Sequence, residues 1–133
     1  MSEENVDTMR RLLAALTRRD TETMLALWDP EAEFMPIMAA LEGTVYRGRE
    51  GLKMWLDEME DHWEFFETHP QEFLDLGDRV LALGHWNARG RASGVEMREQ
   101  PASWVAQVRD GRIVFWRTYT DRHEALQAVG LAE

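Results

Sequence analysis

The sequence predicts an α+β fold: a cone-shaped, curved antiparallel (mixed) β-sheet wrapped around three helices from the N-terminal half, with a short C-terminal helix. Three observations predict it. Apolar residues recur at helical spacing through the first half of the chain, as far as residue 62. Beyond residue 73 the pattern becomes long extended runs separated by glycine-containing turns, so helices and strands are segregated. The 133 residues are 44% hydrophobic and lack cysteine, which suits a single domain over 1–133 with a real core and no disulfide framework.

Along residues 5–19, Val6, Met9, Leu12, Leu13 and Leu16 form one helical stripe. Asp20 or Thr21 caps a second, shorter helix whose inner face is Met24, Leu25 and Trp28. Asp29-Pro30 ends it, since a residue before proline is pushed out of the α region. Residues 31–37, E-A-E-F-M-P-I, alternate weakly and read as a strand, with the side facing the interior left open. Residues 38–48 read as a loop or an extended excursion. A third helix over about 49–62 carries the stripe Leu52, Trp55, Leu56, Met59 and Trp63.

Phe73, Leu74 and Leu76 then mark a strand, and L-G-D-R-V a tight turn into the next one over 79–89. R-G-R-A-S-G is a turn-rich loop. Residues 95–108 form a long strand, interrupted or edged at Pro101. R-D-G-R is a hairpin turn into a strand over 113–120. A two-residue turn would pair Trp104 with Arg117. A three-residue turn would pair Trp104 with Trp116 and Ala102 with Thr118. We adopt the second, because it gathers Trp104, Ala106, Val108, Val114 and Trp116 on one apolar face. Asp121, with Glu124 three residues on, caps the last helix, and Gly130 stops it.

The formal charge of −10 argues against nucleic acid and anionic membrane surfaces as partners. The acidic N-terminus is unlike a signal peptide, and no apolar run approaches the roughly 20 residues that span a bilayer, so a cytoplasmic protein is expected. His62, His69 and His123 are scattered and H-E-x-x-H is absent, so neither a metal site nor a cofactor is expected.

The stretch L-G-H-W-N-A-R-G, residues 83–90, raises the functional question. Strand geometry puts His85, Asn87 and Arg89 on one side, and Trp86 and Ala88 on the other. Facing into the cone, His85 would be an acid or base and Asn87 an orienting amide, with Arg89 a rim charge. Trp55, Met59, Trp104 and Trp116 would furnish an apolar pocket suited to a flat ligand. Phe115, Arg117, Tyr119 and Trp86 would then face outward, a surface suited to a homodimer.

The order of elements, together with G-D-R-V-L-A-L-G (77–84), S-G-V-E (93–96), Y-R-G-R-E-G-L (46–52) and residues 110–131, resembles the nuclear transport factor 2-like superfamily and its SnoaL-like group. The resemblance covers nearly the whole chain. It includes ketosteroid isomerases, epoxide hydrolases, polyketide cyclases and non-catalytic binding modules. In the isomerases a carboxylate base precedes a proline on the first strand. That place falls on Met35, with Glu33 two residues earlier as a displaced base. The acidic and basic positions of the epoxide hydrolases fall on His85, Asn87 and Thr118, and the acid of the cyclases near Thr118. Two readings stand side by side: proton transfer on an apolar, polycyclic or smaller, carbonyl compound, as in an isomerase, cyclase or hydrolase, and a non-catalytic module that binds an apolar ligand or dimerises.

Overall fold

The computed structural model describes residues 2–37 and 42–132. Helix α1 (Ser2–Arg18) and the short α2 (Thr21–Ala26) lead into strand β1 (Trp28–Met35). A two-residue strand β2 (Tyr46–Arg47) precedes α3 (Gly48–His62). Four long strands follow, β3 (Trp63–Leu76), β4 (Arg79–Gly90), β5 (Glu96–Arg109) and β6 (Arg112–Tyr119), and then α4 (Arg122–Ala128). They form one mixed sheet of order β2-β1-β6-β5-β4-β3, in which only the β1–β6 pairing is parallel. None of the described helices is long and apolar enough to cross a membrane.

The two faces of the sheet bury different clusters. Inward, Met9, Leu12 and Leu13 of α1, Met24 of α2 and Leu52 of α3 meet Val80, Ala82, Trp104, Ala106 and Trp116. Outward, the short α4 lays Ala125 and Val129 over Leu81, Leu83 and Val105. Asp20 caps α2 by accepting hydrogen bonds from the Thr23 backbone and hydroxyl, at 3.2 and 2.6 Å.

The structure corrects several boundaries. Trp28 begins β1 and does not end α2. Its strand pairs with Ile113, the Ile113 N–H donates to the Leu27 carbonyl at 2.7 Å, and the indole is 1% exposed. Tertiary pairing therefore outweighs the helical spacing of a six-residue segment. Strand β3 starts directly after α3 at Trp63, ten residues before the run from Phe73 that marked it. Bulges after Trp63 and after Pro70 break the alternation by which a strand is read. Pro101 lies within a continuous β5, beyond the point where β6 ends at Tyr119 opposite Ser103, so one side of the strand needs no ladder donor.

The β5–β6 hairpin takes the two-residue turn and not the three-residue turn adopted from the sequence, yet the register beyond it matches neither expectation. Arg109 pairs with Arg112 across a two-residue turn, with Asp110 and Gly111 both at positive φ. An extra residue at Val114 then shifts the ladder, so Trp104 faces Thr118 and Ala106 faces Trp116. Ile113, not Val114, fills the core, being fully buried.

Gly84 sits against the β3 bulge. A β-carbon there would run into the His69 carbonyl and come within 2.9 Å of the Pro70 Cα. Gly84→Ala should therefore lower stability by about 1–3 kcal/mol, read as a lower urea midpoint at unchanged slope.

Candidate functional site

Between the concave face of the sheet and the three N-terminal-half helices lies a hollow of about 390 Å³. Helix α1 supplies Leu12 and Leu16, α2 Met24, and α3 Leu52, Trp55 and Met59. Strand β1 supplies Trp28 and Phe34, with Pro36 and Ile37 just beyond it. The far wall is Trp63, Phe66, Trp86, Met97, Trp104, Trp116 and Thr118. All six tryptophans of the chain line this one space.

Burial grades along the hollow. Trp28, Phe34, Leu52, Trp104 and Trp116 are buried at its closed end, whereas Ile37, Met59, Trp63, Phe66, Trp86 and Met97 are half-buried and form the mouth. Two aromatic chains hold the walls. Phe34 meets Trp28 edge-on at 5.4 Å and Trp55 at 4.9 Å. Trp86 stacks on Phe66 at 5.0 Å and meets Trp63 at 6.0 Å. Edge-to-face and offset contacts of this kind add to the gain from area burial alone.

Polar groups are few. Trp116 Nε1 donates to Thr118 Oγ1 at 3.1 Å. The Nε1 groups of Trp28 and Trp86 are buried with no acceptor among the described residues. None of the described lining side chains is ionisable, and residues 38–41 read M-A-A-L. Among the described residues no cluster of three or more His, Cys, Asp or Glu side chains is arranged to hold a metal ion.

The structure brings Trp55, Met59, Trp104, Trp116 and Thr118 together in this wall. It places the other candidate residues elsewhere. On β1, Ala32 and Phe34 point inward, so Met35 is absent from the wall and Glu33 is exposed, 3.5 Å from Arg47. On β4 the expected orientation is reversed. Val80, Ala82, Trp86 and Ala88 face inward, leaving His85, Asn87 and Arg89 on the outer side. The physical reason is the balance of burial. Keeping the Trp86 indole from water stabilises the fold, whereas burying an imidazole, an amide and a guanidinium would desolvate three polar groups.

Each outward group has its own partner. His85 stacks on His69, ring centroids 5.0 Å apart. Asn87 Oδ1 accepts from the Glu99 backbone N–H at 2.7 Å, where β5 bulges and Glu99 adopts φ 51°. Arg89 pairs with Glu96 and, at 3.3 Å, with Glu64. The hydrogen bond from Arg89, reinforced by Arg98, holds the Glu96 carboxyl below its usual range, and Glu96 and Glu64 raise the Arg89 guanidinium in return.

Sequence reasoning missed Trp28, Trp63, Phe66, Trp86 and Met97. Its available signal was parity along β4, since Val80, Ala82, Trp86 and Ala88 form the more continuous apolar set.

The SnoaL-like domain family matches this chain over residues 9–116. Among solved structures, an NTF2-like protein of unknown function from Burkholderia pseudomallei is 21% identical, with 96% of this chain and 98% of that one covered and a TM-score of 0.78. TerC, crystallised with polyporic acid, is 20% identical, with 95% and 98% covered and a TM-score of 0.78. An LEH-like epoxide hydrolase of M. tuberculosis is 21% identical, with 96% and 90% covered and a TM-score of 0.74. No curated protein matches the sequence.

Asn87→Ala should cost about 1 kcal/mol in urea unfolding, since it orphans the Glu99 N–H, and should leave the tryptophan emission of the folded protein unchanged. Pairing lowers the Glu96 pKa in the folded state. Its contribution is therefore complete above the ordinary glutamate value near 4.3 and is lost as pH falls through the lowered folded value. Urea midpoints of wild type and Glu96→Gln should differ above about pH 5 and converge in acid.

Proposed function

The chain belongs to the SnoaL-like domain family, and from that premise we propose that it binds a small, neutral, flat apolar molecule and performs no side-chain acid–base chemistry on it. The observation that carries this reading is the wall itself: six tryptophans, two phenylalanines and no ionisable side chain among the described residues around about 390 Å³. A flat ring system gains from many aromatic contacts there, while a charged group would be desolvated with no counter-ion. That TerC, similar in fold, was co-crystallised with polyporic acid supports a small-molecule role in general terms.

Proton transfer on a carbonyl compound is the rival reading, and it needs an acid or base against the ligand. His85, Asn87 and Glu33, the residues first considered for that task, lie on the opposite face of the sheet. We also propose that the outer face pairs with a second copy of the chain. Phe115, Arg117 and Tyr119 lie there half-buried, Arg117 over the Tyr119 ring at 4.6 Å and its Nε buried without an acceptor among the described residues.

A thermal-shift screen of neutral polycyclic compounds checks the binding reading. A ligand at 100 times its Kd should add about 2.7 kcal/mol, a Tm rise on the order of 10 °C. Trp55→Ala should weaken such a ligand by roughly tenfold, whereas His85→Ala should leave its Kd unchanged. Equal losses in both variants would remove the assignment of the hollow. Light scattering on the wild type at micromolar concentration should give twice the chain mass, and Arg117→Glu should give the single chain.

A further inference from the structure

Resting on that reading of the hollow, we propose that Thr118 is its specificity-determining residue. It selects ligands whose polar atom accepts a hydrogen bond and carries no hydrogen of its own: a ketone, quinone or ether oxygen, in preference to an alcohol, phenol or amine.

The argument is an account of hydrogens. Thr118 is only 8% exposed, and the Val114 bulge sets it opposite Trp104 in the buried end of the wall. An indole nitrogen can only donate, so the 3.1 Å contact runs from Trp116 Nε1 to Thr118 Oγ1. The threonine hydroxyl hydrogen therefore points elsewhere, and it has no acceptor among the described residues. The other polar side-chain hydrogens of the wall belong to the remaining indoles, which can only donate, and the buried N–H groups of Trp28 and Trp86 lack acceptors among the described residues. None of the described lining side chains other than Thr118 offers an oxygen. The side chains of the wall thus supply mainly donors, and its one hydroxyl oxygen keeps a single free lone pair beside the bond from Trp116.

A carbonyl oxygen placed against Thr118 takes the free hydrogen and leaves nothing unpaired. The Trp116 N–H behind it polarises the hydroxyl in the helpful sense. An alcohol of the same shape brings a second hydroxyl hydrogen. Whichever hydroxyl donates to the other, one hydrogen stays unpaired in an apolar space. A site built to pair one polar group rejects the analogue that mismatches it more strongly than a plain hydrophobic slot does.

Three probes of nearly one shape test this: 9-fluorenone, 9-fluorenol and fluorene, titrated against the intrinsic tryptophan emission of the intact protein. The ketone should bind roughly tenfold tighter than either of the others. Thr118→Val should reduce that preference to about twofold or less, and Thr118→Ser should restore it. The infrared carbonyl stretch of bound 9-fluorenone should fall below its value in hydrocarbon solvent in wild type and Thr118→Ser. Equal affinities for the three probes in wild type, an unshifted stretch, or an undiminished preference in Thr118→Val would overturn the role of Thr118 while leaving the hollow as a binding site. Should Thr118→Val fail to fold, the wild-type ranking and the stretch in Thr118→Ser still decide it. Absence of binding by all three probes would overturn both readings together.

Discussion

Six indoles in 133 residues impose the strongest demand on this fold, because each ring has a large apolar surface that water excludes. A flat sheet packed on one helix offers too shallow a layer to receive them. The solution here is a curled sheet with helices α1, α2 and α3 in its concavity, so that rings from β1, β3, β4, β5, β6 and α3 converge on one space. Once Trp86 and Trp104 must point inward, strand parity dictates the rest. His85, Asn87 and Arg89 are sent outward, and Leu81 and Leu83 are left for α4 to cover.

The curl is made by irregularities. Bulges interrupt β3 at two places, the β4–β5 ladder beside Asn87, and β6 at Val114. Each adds a residue to one strand and so increases local bend and twist. Each also needs local chemistry to hold it. Asn87 accepts the N–H that the Glu99 bulge would otherwise leave free, and Gly84 leaves room where β3 swells. Asn87, which looks catalytic in one dimension, thus serves the shape of the sheet in three.

Much of this was legible in the sequence. The stripes of α1 and α3, the Asp20 and Asp121 caps, and the turns at Gly77-Asp78 and Asp110-Gly111 are local features, and local physics decides them. The wall residues Trp55, Met59, Trp104 and Trp116 followed from the same patterns, and Thr118 from the family resemblance. What did not follow was anything that depends on a count shifted by one. An extra residue at Val114 is invisible until β5 and β6 are laid side by side, and the bulges of β3 hid its first half. The β4 error had another source. Strand parity alone allows His85, Asn87 and Arg89 to face the interior as readily as Trp86 and Ala88, and only the burial of the Trp86 indole decides between the two rows. The relative cost of desolvating the two rows would have decided the question correctly.

Among the described residues no ionisable side chain lines the hollow, and under the proposed binding role this has a consequence for how a ligand would leave. A pocket of this composition keeps the same electrical character from acid to alkali, so a proton gradient gives it no trigger for unloading. Occupancy by the proposed ligand would then track only its free concentration and its own titration. Such a compartment equilibrates with its surroundings by partitioning, as a droplet of oil does.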